Sequence, residues 1–287
     1  MADQRAVNAI LHRDTLVYRL APPTPARKVI GTRALKFYVE GALKTWDDLD
    51  QLVLPDLSSP AIRGPVQRFM AERGDYATIL SKRVGISATY LAMGMEHFFP
   101  TLADDPALVR EILGRYAAWA AGAARLAKEM GFDIFQTSDD IAGKHGLFWS
   151  PALFREIVWP HMRTVAEAVR EAGIFWTYHS DGDLWRVLPD LVNFGITTLN
   201  PIEPECMEIR EVRAAFPALV LIGNVDLLAR GAPADVRRTV QRLIRDLGPS
   251  GRYAVSSGNS VPRYARVPNV RAMCDAVLEF GAAPVTA

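Results

Sequence analysis

Phe175-Trp176-Thr177-Tyr178-His179-Ser180-Asp181-Gly182-Asp183 is an apolar run that ends abruptly in a histidine and two carboxylates. A strand that stops at a polar cluster and leads into a helix, here expected over 184–194, is how an α/β enzyme presents chemistry at the carboxyl ends of its strands. The design repeats along the chain. It recurs at Asp133-Ile134-Phe135-Gln136-Thr137-Ser138-Asp139-Asp140, at Thr197-Thr198-Leu199-Asn200-Pro201-Ile202-Glu203-Pro204, at Leu219-Val220-Leu221-Ile222-Gly223-Asn224-Val225-Asp226 and at Tyr253-Ala254-Val255-Ser256-Ser257-Gly258-Asn259. Five such strand ends are expected to converge on one polar face.

Outward from that stretch, strand and helix alternate regularly from Phe132 to Phe280. Helices are predicted over 151–171, 184–194, 209–216, 233–247 and 267–280. Ser150-Pro151 and Ala232-Pro233-Ala234-Asp235 supply start signals, with proline in the first turn and a capping hydroxyl or an acid beside it. Strands separated by such helices cannot pair as hairpins, so they lie parallel. A helix over 106–130 and a strand at Tyr76-Ala77-Thr78-Ile79-Leu80-Ser81 extend the pattern backward. Before residue 75 it fails: Leu20-Ala21-Pro22-Pro23-Thr24-Pro25 is a breaker cluster, and 46–56 reads as a short acidic helix running into a proline stop. Six strands are readable, and Lys28-Val29-Ile30-Gly31 and Leu35-Lys36-Phe37-Tyr38-Val39 are candidates for the two more that a closed barrel needs. The expected fold is one (β/α)8 TIM-barrel domain over 1–287, with 1–27 irregular and the N-terminal part abbreviated; an open doubly wound sheet is the alternative.

The chain has 287 residues, of which 49% are apolar and 23% charged, a balance that supplies a sizeable core. Its net charge of +1 provides no global field to hold nucleic acid or an anionic membrane. Two cysteines, Cys206 and Cys274, are too few for a secreted disulfide framework, and no apolar run reaches the length of a membrane span. A cytoplasmic protein without nucleic-acid or membrane partners is expected. Glycine-rich phosphate loops and the Gly-x-Ser-x-Gly nucleophile motif are absent from the sequence.

Together, Asp139-Asp140, Ser150-Pro151-Ala152-Leu153-Phe154-Arg155-Glu156 with Trp159-Pro160, His179-Ser180-Asp181-Gly182, Asn200-Pro201-Ile202-Glu203-Pro204 and Gly223-Asn224-Val225-Asp226 resemble the uroporphyrinogen decarboxylase superfamily over roughly Tyr38 to Gly281. The resemblance implies a (β/α)8 barrel with its site at the strand carboxyl ends. The arginine-rich N-terminal loop of true porphyrinogen decarboxylases has no counterpart here. The second half is more similar to the methyltransferase branch, which moves methyl groups to or from corrinoids and related acceptors. Where the zinc form of that branch has His-x-Cys, this chain reads His179-Ser180-Asp181, and Ser257-Gly258-Asn259 stands in the region of its second cysteine.

At positions i and i+2, His179 and Asp181 project to the same face of an extended strand, which suits an acid/base pair or metal ligation. The structural alternative is a histidine fixed by its acidic neighbour. Cys206, just after Glu203-Pro204-Glu205, is the candidate to join them around zinc with an open fourth position; an inert packed cysteine is the alternative. Asp139 and Asp140 are adjacent, so in extended chain only one faces the site; one of them is expected to act as a general acid/base or to hold a cationic group. Asn200, Glu203, Asn224, Asp226, Ser257 and Asn259 are candidates to bind substrate, or else to tie the rim through backbone bonds. Trp149, with Phe148, is the candidate to contact a flat substrate.

The expected activity is transfer of a methyl group from a small methoxylated or methylamine-type substrate to a corrinoid or tetrahydrofolate acceptor, with zinc polarising the leaving heteroatom. The partners considered are the small-molecule substrate, a corrinoid protein and a second copy of the chain. A metal-free, cofactor-free decarboxylase using Asp139 or Asp140, and a degenerate non-catalytic binding barrel, are the rival readings.

Overall fold

A computed structural model describes residues 2–30, 36–83, 85–226 and 228–281. Along the chain these form α1 (Ala2–Leu11), β1 (Thr15–Arg19), β2 (Ala26–Ile30), β3 (Lys36–Gly41), a 3-10 turn at Trp46–Gln51, α2 (Pro60–Ala71), β4 (Ala77–Arg83), α3 (Gly85–Met93), α4 (Met95–Asp104) and α5 (Pro106–Glu129). There follow β5 (Ile134–Ser138), β6 (Ala142–Gly143), β7 (Gly146–Leu147), α6 (Pro151–Ile157), α7 (Trp159–Ala172), β8 (Phe175–His179), α8 (Leu188–Phe194), β9 (Thr198–Ile202), α9 (Ile209–Ala215), β10 (Val220–Val225), α10 (Pro233–Leu247), β11 (Tyr253–Ser257) and α11 (Val267–Phe280). Seven strands make up one sheet in the order β1-β4-β5-β8-β9-β10-β11. β4 runs parallel to β5, and β8, β9, β10 and β11 run parallel in succession, with helices between them. This is the α/β fold of the (β/α)-barrel class. No helix among the described residues is long and apolar enough to cross a membrane.

The structure departs from the sequence reading mainly at the amino-terminal end. Residues 1–27, expected to be irregular, carry α1 and β1, and β1 is one of the sheet strands. The two stretches offered as barrel strands become β2 and β3, which pair antiparallel with each other as a separate two-stranded sheet. Gly31 and Leu35, at the ends of those stretches, lie outside the described residues. No eighth strand of the main sheet occurs among the described residues. The helix expected over 151–171 is two helices broken at Val158, with Pro160 in the first turn of the second. The helix expected from Leu184 begins only at Leu188.

Two compact units divide the chain. The first holds residues 17–140 and 149–175. Its largest helix, α5, starts on Pro106 with Asp105 as the cap, whose carboxylate accepts from the Leu108 amide at 3.1 Å. Ala117, Ala120, Ala121, Ala123, Ala124 and Ala127 give α5 a smooth buried surface, and α7, which buries Met162, Val165, Ala166 and Val169, packs against α5. Tyr18, Phe69 and Phe132 form an aromatic cluster in the same unit, with ring centroids 5.2–6.4 Å apart.

The second unit holds residues 1–16, 141–148 and 176–287. Its core is set by Trp176, Tyr178, Leu199, Ile202, Leu221 and Val225, all buried. In α10, Val236, Val240, Leu243 and Leu247 recur at helical spacing and form its buried stripe. The register of β8 on β9 sets Tyr178 beside Leu199 and His179 beside Asn200. That alignment, fixed by the buried apolar residues upstream, decides what the histidine meets.

Candidate active site

In the second unit, the ring of His179 lies 2.8 Å by Nδ1 from Oδ1 of Asn200. An amide oxygen only accepts, so Nδ1 carries a proton and donates it, leaving Nε2 to face the carboxylate of Asp181, whose Oδ1 is 3.8 Å away. The ring is thereby fixed in orientation and tautomer, with an acid beside the nitrogen that does chemistry. Between the two residues, Ser180 is buried; its hydroxyl donates to the Asp181 carbonyl at 2.9 Å and accepts from the Ile141 amide at 3.2 Å. Gly182 then turns the chain at φ +89°, where a Cβ would sit 2.6 Å from the Ala142 carbonyl carbon. Only glycine lets the β6–β7 hairpin approach this closely.

Glu203 joins three strand ends. Its Oε2 accepts from the Gly182 amide at 2.7 Å, and its Oε1 accepts from Asn259 Nδ2 at 2.9 Å. The carboxylate after β9 thus ties the turn after β8 to the loop after β11. Nearby cations are already matched: Lys144 reaches Glu205 at 2.6 Å, and Arg230 reaches Asp226 at 2.8 Å. Asn224 donates to the Ile202 carbonyl at 2.9 Å, the rim-tying role weighed for it, whereas Asp226, Ser257 and Asn259 line one cavity.

The sulfur of Cys206 belongs to Glu203 instead of His179. The thiol lies 3.5 Å from Glu203 Oε2, and burial together with that carboxylate pushes its pKa up to about 11. Zinc binding needs the thiolate, which such surroundings disfavour. Among the described residues, no group of three metal-type donors drawn within 4.8 Å of one another includes this cysteine. The cysteine-ligated zinc site expected from the sequence therefore does not fit, and none of the chemistry below passes through it.

The first unit holds the acids after β5. Asp139 is fully buried; its Oδ1 accepts from the Ser87 amide at 2.9 Å and from the Ser87 hydroxyl at 2.8 Å. Asp140 is half-buried, and its carbonyl accepts from the Tyr90 hydroxyl at 3.2 Å. Sequence reasoning missed the group that shares the interior with Asp139. Lys82, 3% exposed, lies with its amine 5.4 Å from the Trp119 ring centroid and 5.3 Å from that of Phe135. Burial lowers the Lys82 pKa to about 7 and raises that of Asp139 to about 7, while the opposite charge of each partner resists the shift. Among the described residues, neither Lys82 Nζ nor Asp139 Oδ2 has a hydrogen-bond partner. The signal was available, since Thr78, Leu80 and Lys82 alternate on the buried side of β4. Trp149, expected at the substrate, stacks on Phe154 at 5.4 Å and lies 5.8 Å from both Phe98 and Phe99, within an aromatic cluster.

Residues 38–280 match the uroporphyrinogen decarboxylase family. Curated relatives named uroporphyrinogen decarboxylase include one from Thermus thermophilus, 26% identical over 181 residues that make up 62% of this chain and 50% of the relative. Another, from Anaeromyxobacter dehalogenans, is 29% identical over 127 residues, 44% of this chain and 36% of the relative. The chain thus spans half or less of the length of these relatives. A methyltransferase from Methanosarcina mazei has the same fold, with a TM-score of 0.76 at 17% identity, covering 97% of this chain and 84% of that one. With the family pattern running from β3 to the last turn of α11, the chain belongs to the uroporphyrinogen decarboxylase family, a family of enzymes.

Proposed function

We propose that this enzyme transfers a methyl group from a small methoxylated or methylamine-type donor to a corrinoid or folate acceptor, with His179 as the general acid. The observation that carries the reading is the imidazole held by Asn200 at Nδ1 and faced by Asp181 at Nε2. When the acceptor's nucleophile attacks the methyl carbon, the bond to the donor heteroatom breaks and the heteroatom keeps the electron pair. His179 delivers a proton from Nε2 to that heteroatom, with the carboxylate of Asp181 facing the same nitrogen at 3.8 Å. A positioned acid of this kind contributes about 10²–10⁴ in rate.

Charge at the rim favours this over decarboxylation. The strand ends of the second unit carry Asp181, Glu203 and Asp226, while Lys144 and Arg230 are engaged by Glu205 and Asp226. A substrate rich in carboxylates would meet like charge there, whereas a neutral ether or a methylammonium would not. The M. mazei methyltransferase lends the reading support at the level of fold. Both cysteines are free, which suits a cytoplasmic setting; a corrinoid protein and a second copy of the chain are the partners in this reading.

The test is anaerobic incubation of the protein with methoxylated aromatics and methylamines, with cob(I)alamin or tetrahydrofolate as acceptor, following the demethylated donor by chromatography. Turnover that falls about 10²–10⁴-fold in His179→Gln supports the proposal. Release of CO₂ from aromatic carboxylates without methyl transfer would replace it with the decarboxylase reading, which the names of the curated relatives favour.

A further inference from the structure

Methyl transfer needs room for two reactants, and the second unit has a cavity separate from the His179 pair. It measures about 470 Å³ and lies at the carboxyl ends of β10 and β11. Asp226, Leu228 and Arg230, after β10, line it together with Ser257, Asn259 and Tyr264, from the end of β11 and the loop beyond. An engineered cavity that binds benzene measures about 150 Å³, so this one holds a ligand on the scale of three rings. That exceeds any methylamine or simple methoxylated ring, and it falls well short of a corrinoid with its four pyrrole-derived rings and side chains.

The walls are chemically mixed in a particular way. Tyr264 is 77% exposed, a large aromatic ring offered to a flat partner. Ser257 and Asn259 present hydroxyl and amide groups, and Asp226, whose Oδ2 accepts from Arg230 at 2.8 Å, offers its other oxygen to an N–H group of an amino-substituted heterocycle. Arg230, 71% exposed, pairs with Asp226 at 2.8 Å and holds that carboxylate at the rim of the cavity. Asn259 connects this cavity to the chemistry, since its amide holds Glu203, which holds the Gly182 amide next to Asp181.

Building on the methyl-transfer reading, we propose that the cavity at the ends of β10 and β11 is the acceptor subsite and takes a reduced folate: a flat amino-substituted bicyclic ring, an aryl arm and a carboxylate tail. The ring stacks on Tyr264 with its amino edge on Asp226. The secondary amine of the reduced ring supplies the lone pair that attacks the methyl carbon. The carbon–heteroatom bond of the donor breaks, the heteroatom takes a proton from His179, and the methylated amine loses its own proton, which restores the protonated histidine. Atoms and electrons balance without an oxidant or reductant.

Anaerobic calorimetric titration of the full chain with tetrahydrofolate, and separately with cobalamin, tests the assignment. Tyr264→Ala and Asp226→Asn are each expected to weaken tetrahydrofolate binding at least about tenfold, the equivalent of about 1.4 kcal/mol. Tyr264→Phe, which keeps the ring, is expected to bind within about twofold of wild type, and His179→Gln to bind normally while failing to turn over. Thermal midpoints confirm that each variant is folded. Absence of tetrahydrofolate binding, or binding indifferent to Tyr264→Ala and Asp226→Asn, overturns the subsite; methyl transfer to cob(I)alamin in that same protein would leave the proposed activity standing. Tetrahydrofolate binding that depends on Tyr264 and Asp226, with no methyl transfer from any donor, upholds the subsite and overturns the reaction.

Discussion

The carboxyl ends of β5 and β8 begin from similar sequence, an apolar strand running into Ser-Asp, and reach opposite electrostatic outcomes. After β8, Asp181 is partly open to solvent, with His179 at 3.8 Å and the ring steered by Asn200. After β5, Asp139 is sealed from solvent with Lys82, and both are driven toward neutrality. The difference lies in which side of the strand the acid occupies. Phe135, Thr137 and Asp139 alternate on the buried side of β5, so its aspartate inherits the dielectric of the core. A strand-end acid is thus equipped for proton transfer with substrate only where the alternation leaves it within reach of a ligand.

The largest effect that would sharpen this contrast is expected at the buried pair. Lys82→Met leaves Asp139 without its counter-charge and should cost about 3 kcal/mol at neutral pH, read from urea unfolding. Lys82→Met/Asp139→Leu should recover all of that loss or more, and a single variant costing under about 1 kcal/mol would show that the two groups do not depend on each other. The pH dependence follows from the shifts. Asp139, with its pKa raised to about 7, binds extra protons in the folded state, so its contribution falls as pH rises from the carboxylate range to about 7. Lys82, with its pKa lowered to about 7, binds fewer in the folded state, so its contribution recovers as pH rises from about 7 toward the ordinary lysine range. Relative to the double variant, wild-type stability should pass through a minimum near pH 7, measured by unfolding at a series of pH values.

Next in size is Gly182→Ala. It places a methyl against the Ala142 carbonyl at positive φ and should cost about 1–3 kcal/mol, with turnover falling as the β6–β7 hairpin shifts. Asn200→Ala frees Nδ1 of His179 and should lower turnover about 10–100-fold with a thermal midpoint near that of wild type; an unchanged rate would mean that the ring needs no steering. The smallest effect is expected for Cys206→Ser. Its thiol is protonated and directed at Glu203, so both turnover and bound metal, read by elemental analysis, should stay within about twofold of wild type. A large loss of either would restore the cysteine to the site.

Much of the architecture was legible because local signals and tertiary packing agree. Each of β4, β5, β8, β9, β10 and β11 is an apolar run that meets polar residues at its end, and α5, α10 and α11 each begin with proline in the first turn. β1 was not legible: Thr15–Arg19 stands just before the proline cluster and is followed by another strand, with no helix after it to mark the repeat. β2 and β3 were readable as strands, but their choice of each other depends on chain pairing that composition does not encode. At the strand ends, the i, i+2 spacing anticipated that His179 and Asp181 share a face, and the structure sets them 3.8 Å apart. The role of Glu203 in tying the turn after β8 to the loop after β11 depends on residues 21 and 56 positions away, beyond any local pattern. Tyr264 and Arg230 become informative only when the loops they occupy face one cavity.

Lys82 also bears on how β4 finds its partner. In the native alignment Leu80 lies beside Phe135 and Lys82 beside Thr137, on the side that Asp139 shares. If β4 slid by one residue, Lys82 would turn to the opposite face, leaving Asp139 behind, and Ser81 or Arg83 would enter the aromatic interior in its place. Greasy residues tolerate such slippage, since one aliphatic side chain can stand in for another. A lone ammonium among rings, opposite a single carboxylate, cannot be replaced this way. The pair that weakens the native state therefore weakens each misaligned state more, and works as a key that fits one alignment of two otherwise interchangeable strands.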